Sequence, residues 1–419
     1  MDTTNPQQFQ SLRSSLPPNV LAPARSLRAR LLKPLVRSAL SHWHIGRLDI
    51  HLPDGSVVAG GRADARPHVS MRIRNERAIW QFAVRGDVGV GESYVDGDWQ
   101  VDDLPEFIEL ALLNQQAAAD TWVTRLANIP DQVLHAFRRN TPRGSRRNIE
   151  KHYDLSNELF AIFLDPGLTY SSAVFATPGE SLAVAQERKF ARFGEGLQLG
   201  PEDHVLEIGC GWGAFARFAA RTYGCRVTGL TISARQFDLA RERVRADGLG
   251  DRVAIDFCDY RQATGRFSKI VSIEMLEAVG RAHWATFFDK CHELLAENGL
   301  LGVQVITVPD HRFEAYARRC DWIQKYIFPG GILPSLGALC SAMSERAPFS
   351  VRHLDDIGLH YAETLARWRR SFLARTAEVR ALNLDDRFIR MWDYYLASCE
   401  GAFRAQAIAD LQLISGRAV

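Results

Sequence analysis

Glu207-Ile208-Gly209-Cys210-Gly211-Trp212-Gly213 joins the apolar run Asp203–Ile208 to a segment that sets Phe215, Phe218, Ala219 and Tyr223 on one helical face. A strand that ends in a glycine-rich turn and runs into a helix is the opening of a nucleotide-binding βαβ unit. Glycines at such a turn let the backbone bend tightly and approach a ligand closely. The spacing here is GxGxG. A dinucleotide fold prefers GxGxxG, and a phosphate loop needs GxxxxGK[ST], which the chain lacks.

Outward from this turn, strand and helix patterns alternate. Cys225–Ile232 reads as a second strand, and Ser233 as the N-cap of a helix through Arg245. Val253–Phe257 and Lys269–Ile273 read as further strands. Trp284, Phe287, Phe288, Cys291 and Leu295 form an apolar stripe ahead of a strand at Leu300–Ile306. Repeated βα units predict a parallel, doubly wound sheet with helices on both faces. The second strand of such a fold normally ends in an acid that binds ribose hydroxyls. Thr231 stands there instead, within Gly229-Leu230-Thr231-Ile232-Ser233-Ala234-Arg235-Gln236.

At 419 residues the chain calls for two or three domains. Residues 1–40 read as an arm followed by a short helix, with Pro34 arguing against a long one, and 41–137 as a small domain. Within the latter, Gly46–Asp103 carries short alternating runs with Asp-Gly turns, a mainly β pattern, and Leu104–Leu113 reads as a helix. Residues 138–147, with Arg138, Arg139, Arg143, Arg146 and Arg147 around Pro142 and Gly144, form a basic linker to a sheet domain over 148–419.

Composition narrows the function classes. A 46% hydrophobic, 24% charged chain is globular. The seven cysteines are scattered without metal-ligand spacing, and no HExxH occurs, so no metal is implied. The basic residues are not interleaved with a base-stacking aromatic surface, which argues against nucleic acid. No apolar run spans a membrane and Met1–Leu16 is polar, so the expectation is a cytoplasmic protein that meets a membrane from its surface. The Arg138–Arg147 cluster, and Arg25, Arg28, Arg30, Lys33 and Arg37 among leucines, suit anionic lipid head groups and solvated faces equally well.

The segment Leu206–Gly213 followed by Gly229–Gln236 resembles the signature of cyclopropane fatty acid synthases and the related mycolic acid methyltransferases. The likeness continues through His152–Ser156, Thr169–Ser172, Glu274–Gly280, Tyr326–Gly331, Tyr361–Leu365 and Tyr394–Arg404, in order over roughly 148–415. It implies a class I methyltransferase-like doubly wound sheet with a smaller N-terminal mixed α/β lipid-binding domain. It also implies S-adenosylmethionine (SAM) as methyl donor. By the resemblance, Tyr170 and Ser171 contact SAM, and Gly209, Cys210 and Gly211 line the turn against its amino-acid end. Thr231, Ile232 and Gln236 meet the ribose, and Asp259 and Tyr260 the adenine. The Gln236 amide is a neutral substitute for the missing acid.

The implied reaction alkylates a double bond in an unsaturated acyl chain of a membrane phospholipid. It makes a cation that a buried base must deprotonate. In the family a bicarbonate held by Glu, Tyr, His and Cys serves as that base. Glu277 and Tyr361 stand at two of these positions, Glu277 following the strand Lys269–Ile273 at the edge where ligands bind. Ser172 replaces the cysteine and Gln304 the histidine; both can donate hydrogen bonds, and neither titrates as histidine does. Cys399 matches a cysteine treated as catalytic in the family, although the chemistry gives a thiol no task and a packing role fits it better. Proton loss from the transferred methyl closes a cyclopropane, loss from a neighbouring carbon leaves a methyl branch, and a hydride shift before loss from the methyl leaves a methylene branch. A methyltransferase for a small soluble nucleophile and a non-catalytic lipid-binding protein stay open on the residues alone. Peripheral attachment to the inner face of the membrane is expected, and a homodimer would suit two-point attachment.

Overall fold

The computed structural model describes residues 27–118, 155–346 and 348–417. Helix α1 (Leu27–Leu40) leads into β1 (Arg47–His51), β2 (Val57–Gly61) and β3 (His68–Ile73), then α2 (Arg77–Val95), β4 (Trp99–Val101) and α3 (Leu104–Ala118). The strands form one sheet in the order β2-β1-β3-β4, with β1 and β3 parallel and the outer pairs antiparallel. Alternation decides which face is inside: Val69, Met71 and Ile73 of β3 are buried while Arg72 is exposed.

Two expectations change here. The first helix does not stop at Pro34 but runs through it, because Val36 and Leu40 beyond the proline bury against the sheet. Residues 77–95 are helical, where short strands were expected. Gly86 bends this helix with φ 56° and ψ −134°, and Gly91 brings it against Trp322, whose ring a Cβ would meet at 2.4 Å. The glycines that look like turns in sequence are therefore a bend and a close contact within one helix.

The larger sheet begins after α4 (Asn157–Phe163) and α5 (Leu182–Gly196). It is built from β5 (His204–Ile208), α6 (Ala214–Tyr223), β6 (Arg226–Thr231), α7 (Ala234–Ala246), β7 (Val253–Phe257) and β8 (Phe267–Ile273). Next come α8 (Trp284–Leu294), β9 (Leu295–Thr307), α9 (Asp310–Ala317), α10 (Trp322–Tyr326) and α11 (Leu336–Arg346). The chain closes with β10 (Phe349–Asp356), α12 (Gly358–Ala374), α13 (Thr376–Ala381), α14 (Asp386–Arg404) and β11 (Ala409–Arg417). The order is β10-β11-β9-β8-β5-β6-β7. Strands β5 to β9 are parallel, as the repeated βα units require, with the order reversing around β5. Strands β10 and β11 add an antiparallel edge that the βα reading did not contain.

The small sheet shares its core with the helices of the larger domain, while the strands of the larger sheet bury into two further clusters. A single cluster of buried side chains runs from Leu48 and Met71 through Trp99 and Phe160 to Trp368, Trp392 and Phe403. Helix α14 seals the join: Tyr94 donates to Asp393 Oδ2 at 2.6 Å, and Arg369 Nε bonds Asp393 Oδ1 at 2.6 Å. The linker 138–147 and residues 152–154 lie outside the described residues. Among the described residues no helix is long and apolar enough to cross a membrane.

Candidate active site

A cleft of about 1210 Å³ opens at the carboxyl ends of β5, β6 and β8. All ten residues expected around a cofactor line it: Tyr170, Ser171, Gly209, Cys210, Gly211, Thr231, Ile232, Gln236, Asp259 and Tyr260. Gly209 has φ 84°, and a Cβ there would lie 2.7 Å from Met275 Cγ, so only glycine keeps this wall open. The Gly209 and Cys210 amides donate to Leu230 O at 3.0 and 2.9 Å, which ties the turn to the end of β6.

At the second strand, Thr231 Oγ1 donates to Gln236 Oε1 at 2.9 Å and accepts from Ser233 N at 3.2 Å. The bond orients the Gln236 amide with its oxygen on Thr231, leaving its NH₂ as the outward donor. Asp259 receives Arg261 N and Nε at 3.0 and 2.9 Å. Burial pushes this carboxyl up, yet the Arg261 hydrogen bonds and charge bring it below its ordinary value. The buried Tyr260 hydroxyl and Glu207 Oε2 have no partner among the described residues. An open glycine cradle with uncommitted buried polar atoms fits a SAM-sized polar ligand.

Beneath the cleft, Lys189 is fully buried, and its Nζ donates to Ser171 Oγ at 2.6 Å. Burial lowers this ammonium to about 8, against the pull of nearby Glu274, Asp410, Asp165 and Glu207. Burial likewise raises Glu207 to about 8.

The focal carboxylate is Glu274, the first residue past β8. It has φ 49°, an unusual backbone for a non-glycine residue and one that clusters at functional sites. Its side chain reaches the cleft and collects three donors. Ser172 N and Gln304 Nε2 bond Oε1 at 2.8 and 2.7 Å, and Tyr361 OH bonds Oε2 at 2.6 Å. Burial raises its pKa, while the Lys189 charge and these donors work the other way.

The expected catalytic set is thus partly redrawn. Ser172, Gln304 and Tyr361 do converge, but on Glu274, and Ser172 contributes its backbone amide while its hydroxyl turns to Ala173 O at 3.0 Å. Glu277 is not part of the cleft wall. Its Oε1 accepts from Ile306 N at 2.6 Å, capping the backbone of β9, and burial raises it to about 8. Cys399 is half-buried on α14 among aromatic residues and away from the cleft wall, with burial raising its thiol to about 12. These donors do not fit a separate bicarbonate, because the protein's own carboxylate already takes them.

Aromatic rings close the space beside Glu274. Tyr361 stacks on Phe403 at 4.6 Å and Tyr170 on Trp368 at 5.4 Å, and Tyr170 and Tyr395 share a hydroxyl bond of 2.7 Å. Such a wall excludes water and offers ring faces to a transient cation. Among the described residues no group of three or more His, Cys, Asp or Glu is arranged to hold a metal ion.

A parallel sheet with a GxGxG cleft at its carboxyl edge, and a buried carboxyl facing that cleft, fits a class I SAM-dependent methyltransferase. A model of the mycolic acid cyclopropane synthetase family matches residues 140–413, and the chain belongs to that family. It is 38% identical over 397 residues to the tuberculostearic acid methyltransferase UfaA1 of Mycobacterium tuberculosis, covering 91% of this chain and 90% of that one. It is 34% identical over 385 residues to the cyclopropane-fatty-acyl-phospholipid synthase of Escherichia coli, covering 88% and 92%. Among solved structures it resembles the mycolic acid cyclopropane synthase CmaA1 complexed with SAH and CTAB, with TM-score 0.60 and 29% identity over 64% of this chain and 97% of that one. The cyclopropane synthase MmaA2 of Mycobacterium tuberculosis gives the same TM-score, 0.60, at 28% identity, covering 65% and 98%. The chain is accordingly a SAM-dependent methyltransferase of the cyclopropane fatty acid synthase family, with SAM as its co-substrate.

Proposed function

We propose that the protein methylates the double bond of unsaturated acyl chains in membrane phospholipids and closes a cyclopropane ring, with Glu274 taking the proton that leaves. The E. coli relative is named for this reaction. SAM supplies an electrophilic methyl group. The rest is asked of the chain's own residues. Gly209, Thr231, Gln236, Asp259 and Tyr260 hold the donor. Tyr170, Tyr361 and Phe403 keep water from the cation, and the Glu274 carboxylate accepts a proton from the transferred methyl.

The observation that carries this reading is the Glu274 carboxylate itself, held by three donors at the cleft beside an aromatic wall. The donors favour its charged form, and the neighbouring rings disfavour any competing water.

Peripheral membrane association belongs to the same reading, since a bilayer substrate must be met at its surface. Trp80 and Val84, 52% and 53% exposed on α2 just before its bend, are suited to an interfacial contact. Sedimentation with anionic liposomes should carry the wild-type chain down and leave more of Trp80→Ala in solution. Equal recovery of both in the supernatant would remove this part.

The central test incubates the pure protein with vesicles of monounsaturated phospholipid and methyl-trideuterated SAM. Acyl chains should gain a carbon with two deuteria, and NMR should show cyclopropane ring protons. Three retained deuteria without ring signals would assign a methyl branch, and unlabelled chains would overturn the lipid reading altogether.

A further inference from the structure

Asp410 on β11 is fully buried and meets Glu274 through one amide. Gln304 Nε2 donates to Glu274 Oε1 at 2.7 Å and to Asp410 Oδ2 at 2.8 Å. Gln304 Oε1 accepts from Gln412 Nε2 at 3.0 Å, which fixes the end of the amide that faces the two acids. The two carboxyls are thus joined by the one Gln304 amide nitrogen. Asp410 Oδ1 has no hydrogen-bond partner among the described residues.

The groups that face Asp410 are Glu274 after β8, Glu277 in the turn beyond it, Tyr361 on α12 and Lys189 on α5, besides Gln304 on β9. Glu274 and Asp410 thus share the pull of one nearby cation, Lys189, while Glu277 adds negative charge beside them. An ionised Asp410 would be a second buried negative charge beside the first, with one oxygen unpaired. Burial and like-charge repulsion both oppose it, and both push the Asp410 carboxyl well above its ordinary value. A neutral Asp410 removes the conflict. Its carbonyl oxygen accepts from Gln304, and its hydroxyl is left to donate to Glu274.

We propose that Asp410 is a positioning residue for the proton acceptor: it stays protonated through turnover and donates a further hydrogen bond to Glu274, so that the pair carries one negative charge and that charge rests on the carboxyl at the cleft. The inference rests on the reading of Glu274 as the acceptor. The proton count closes. Glu274 gains the methyl proton, the pair becomes neutral, and loss of one proton to solvent restores the single charge. Asp410 touches no substrate, and it acts by holding Glu274 in place and in its charged form.

Asparagine mimics a protonated aspartate, with an oxygen for Gln304 and an NH₂ for Glu274, whereas alanine offers neither. Full-length Asp410→Ala should lower kcat by about tenfold to a hundredfold, the effect of losing a hydrogen bond to a charged group, and move the acid limb of the kcat profile to higher pH. Asp410→Asn should recover most of both, with calorimetric SAM affinity near wild type in each variant. In protein labelled with [4-¹³C]aspartate, one carboxyl resonance should stay at the protonated position at pH 7 and vanish in Asp410→Asn. Asp410→Glu supplies the assignment if the asparagine variant does not fold. An ionised resonance for Asp410 at pH 7, or an asparagine variant no better than alanine, overturns the proposal. Glu274→Gln separates the two readings. If it still turns over, Glu274 is not the acceptor, while the carbon resonance judges the protonation of Asp410 independently.

Discussion

The Tyr361 hydroxyl lies 2.6 Å from Glu274 Oε2 while its ring stacks on Phe403 at 4.6 Å, so packing in the core aims a hydrogen bond at the cleft. Tyr361→Phe keeps the stack and removes the bond. This bond favours the charged form of Glu274. Its loss should lower kcat about tenfold or more and shift the acid limb of the pH profile upward, with SAM affinity unchanged. Steady-state kinetics across pH, paired with calorimetry for SAM, checks both parts; an unmoved acid limb would break the link between Tyr361 and Glu274.

Gly209→Ala tests the cofactor cradle. The substitution strains a backbone at φ 84° and drives a Cβ to 2.7 Å from Met275 Cγ. SAM binding should weaken by about tenfold or more, since the left-handed conformation alone costs roughly 1–2 kcal/mol and the wall must also shift. Titration calorimetry with SAM reads the effect, and wild-type affinity would contradict the placement of the donor here.

The buried acids make stability depend on pH in a definite direction. Glu277 has a folded-state pKa of about 8 against an ordinary 4.5. The folded chain therefore holds a proton that the unfolded chain releases, and this contribution is full below about 4.5 and fades as pH rises through about 8. Glu207, also near 8, acts in the same sense. Glu277→Gln keeps an oxygen for Ile306 N and removes one titration. Thermal melts should show Tm falling less steeply between pH 5 and 8, and a higher Tm than wild type at pH 8. Parallel Tm-against-pH curves for the two proteins would exclude Glu277 as the source.

Asp393→Ala strips the partner from both Tyr94 and Arg369 at the join between the two sheets. The change should destabilise the fold by about 2–4 kcal/mol, because a buried hydrogen-bonded charge network loses its centre. Urea denaturation should show one transition moved to lower concentration, because the small sheet shares its core cluster with the helices of the larger domain. Two separated transitions would mean that the sheets unfold independently.

The glycine turn of the cleft was legible because it joins a strand to a helix, where local pattern and topology agree; the other residues around the donor were expected from the family resemblance. All ten line the cleft. Glu274 was harder to see. Two acids follow the same strand in Glu274-Met275-Leu276-Glu277, and the choice between them turns on a backbone angle of 49° that residue types do not reveal. Position offered a usable hint: Glu274 is the first residue past Ile273 and so stands at the strand's very edge, whereas Glu277 lies in the following turn. Asp410 was invisible for another reason. It sits in the mixed run Asp410-Leu411-Gln412-Leu413-Ile414, and only the antiparallel pairing of β11 with β9 brings it near Gln304. The helix at 77–95 was missed because glycine counts as a breaker locally, while its use here depends on Trp322 far along the chain.

The antiparallel edge has a consequence for biosynthesis. The elements that shape the methyl-donor cradle are translated before Asp410 and Gln412, which reach Glu274 through Gln304 from β11. A nascent polypeptide could fold its donor cradle while still tethered to the ribosome, yet the hydrogen-bonded surroundings of Glu274 would stay incomplete until β11 threads between β9 and β10. Formation of the donor cradle and completion of the surroundings of Glu274 would then be separate events in synthesis, the second waiting on chain that lies beyond β9.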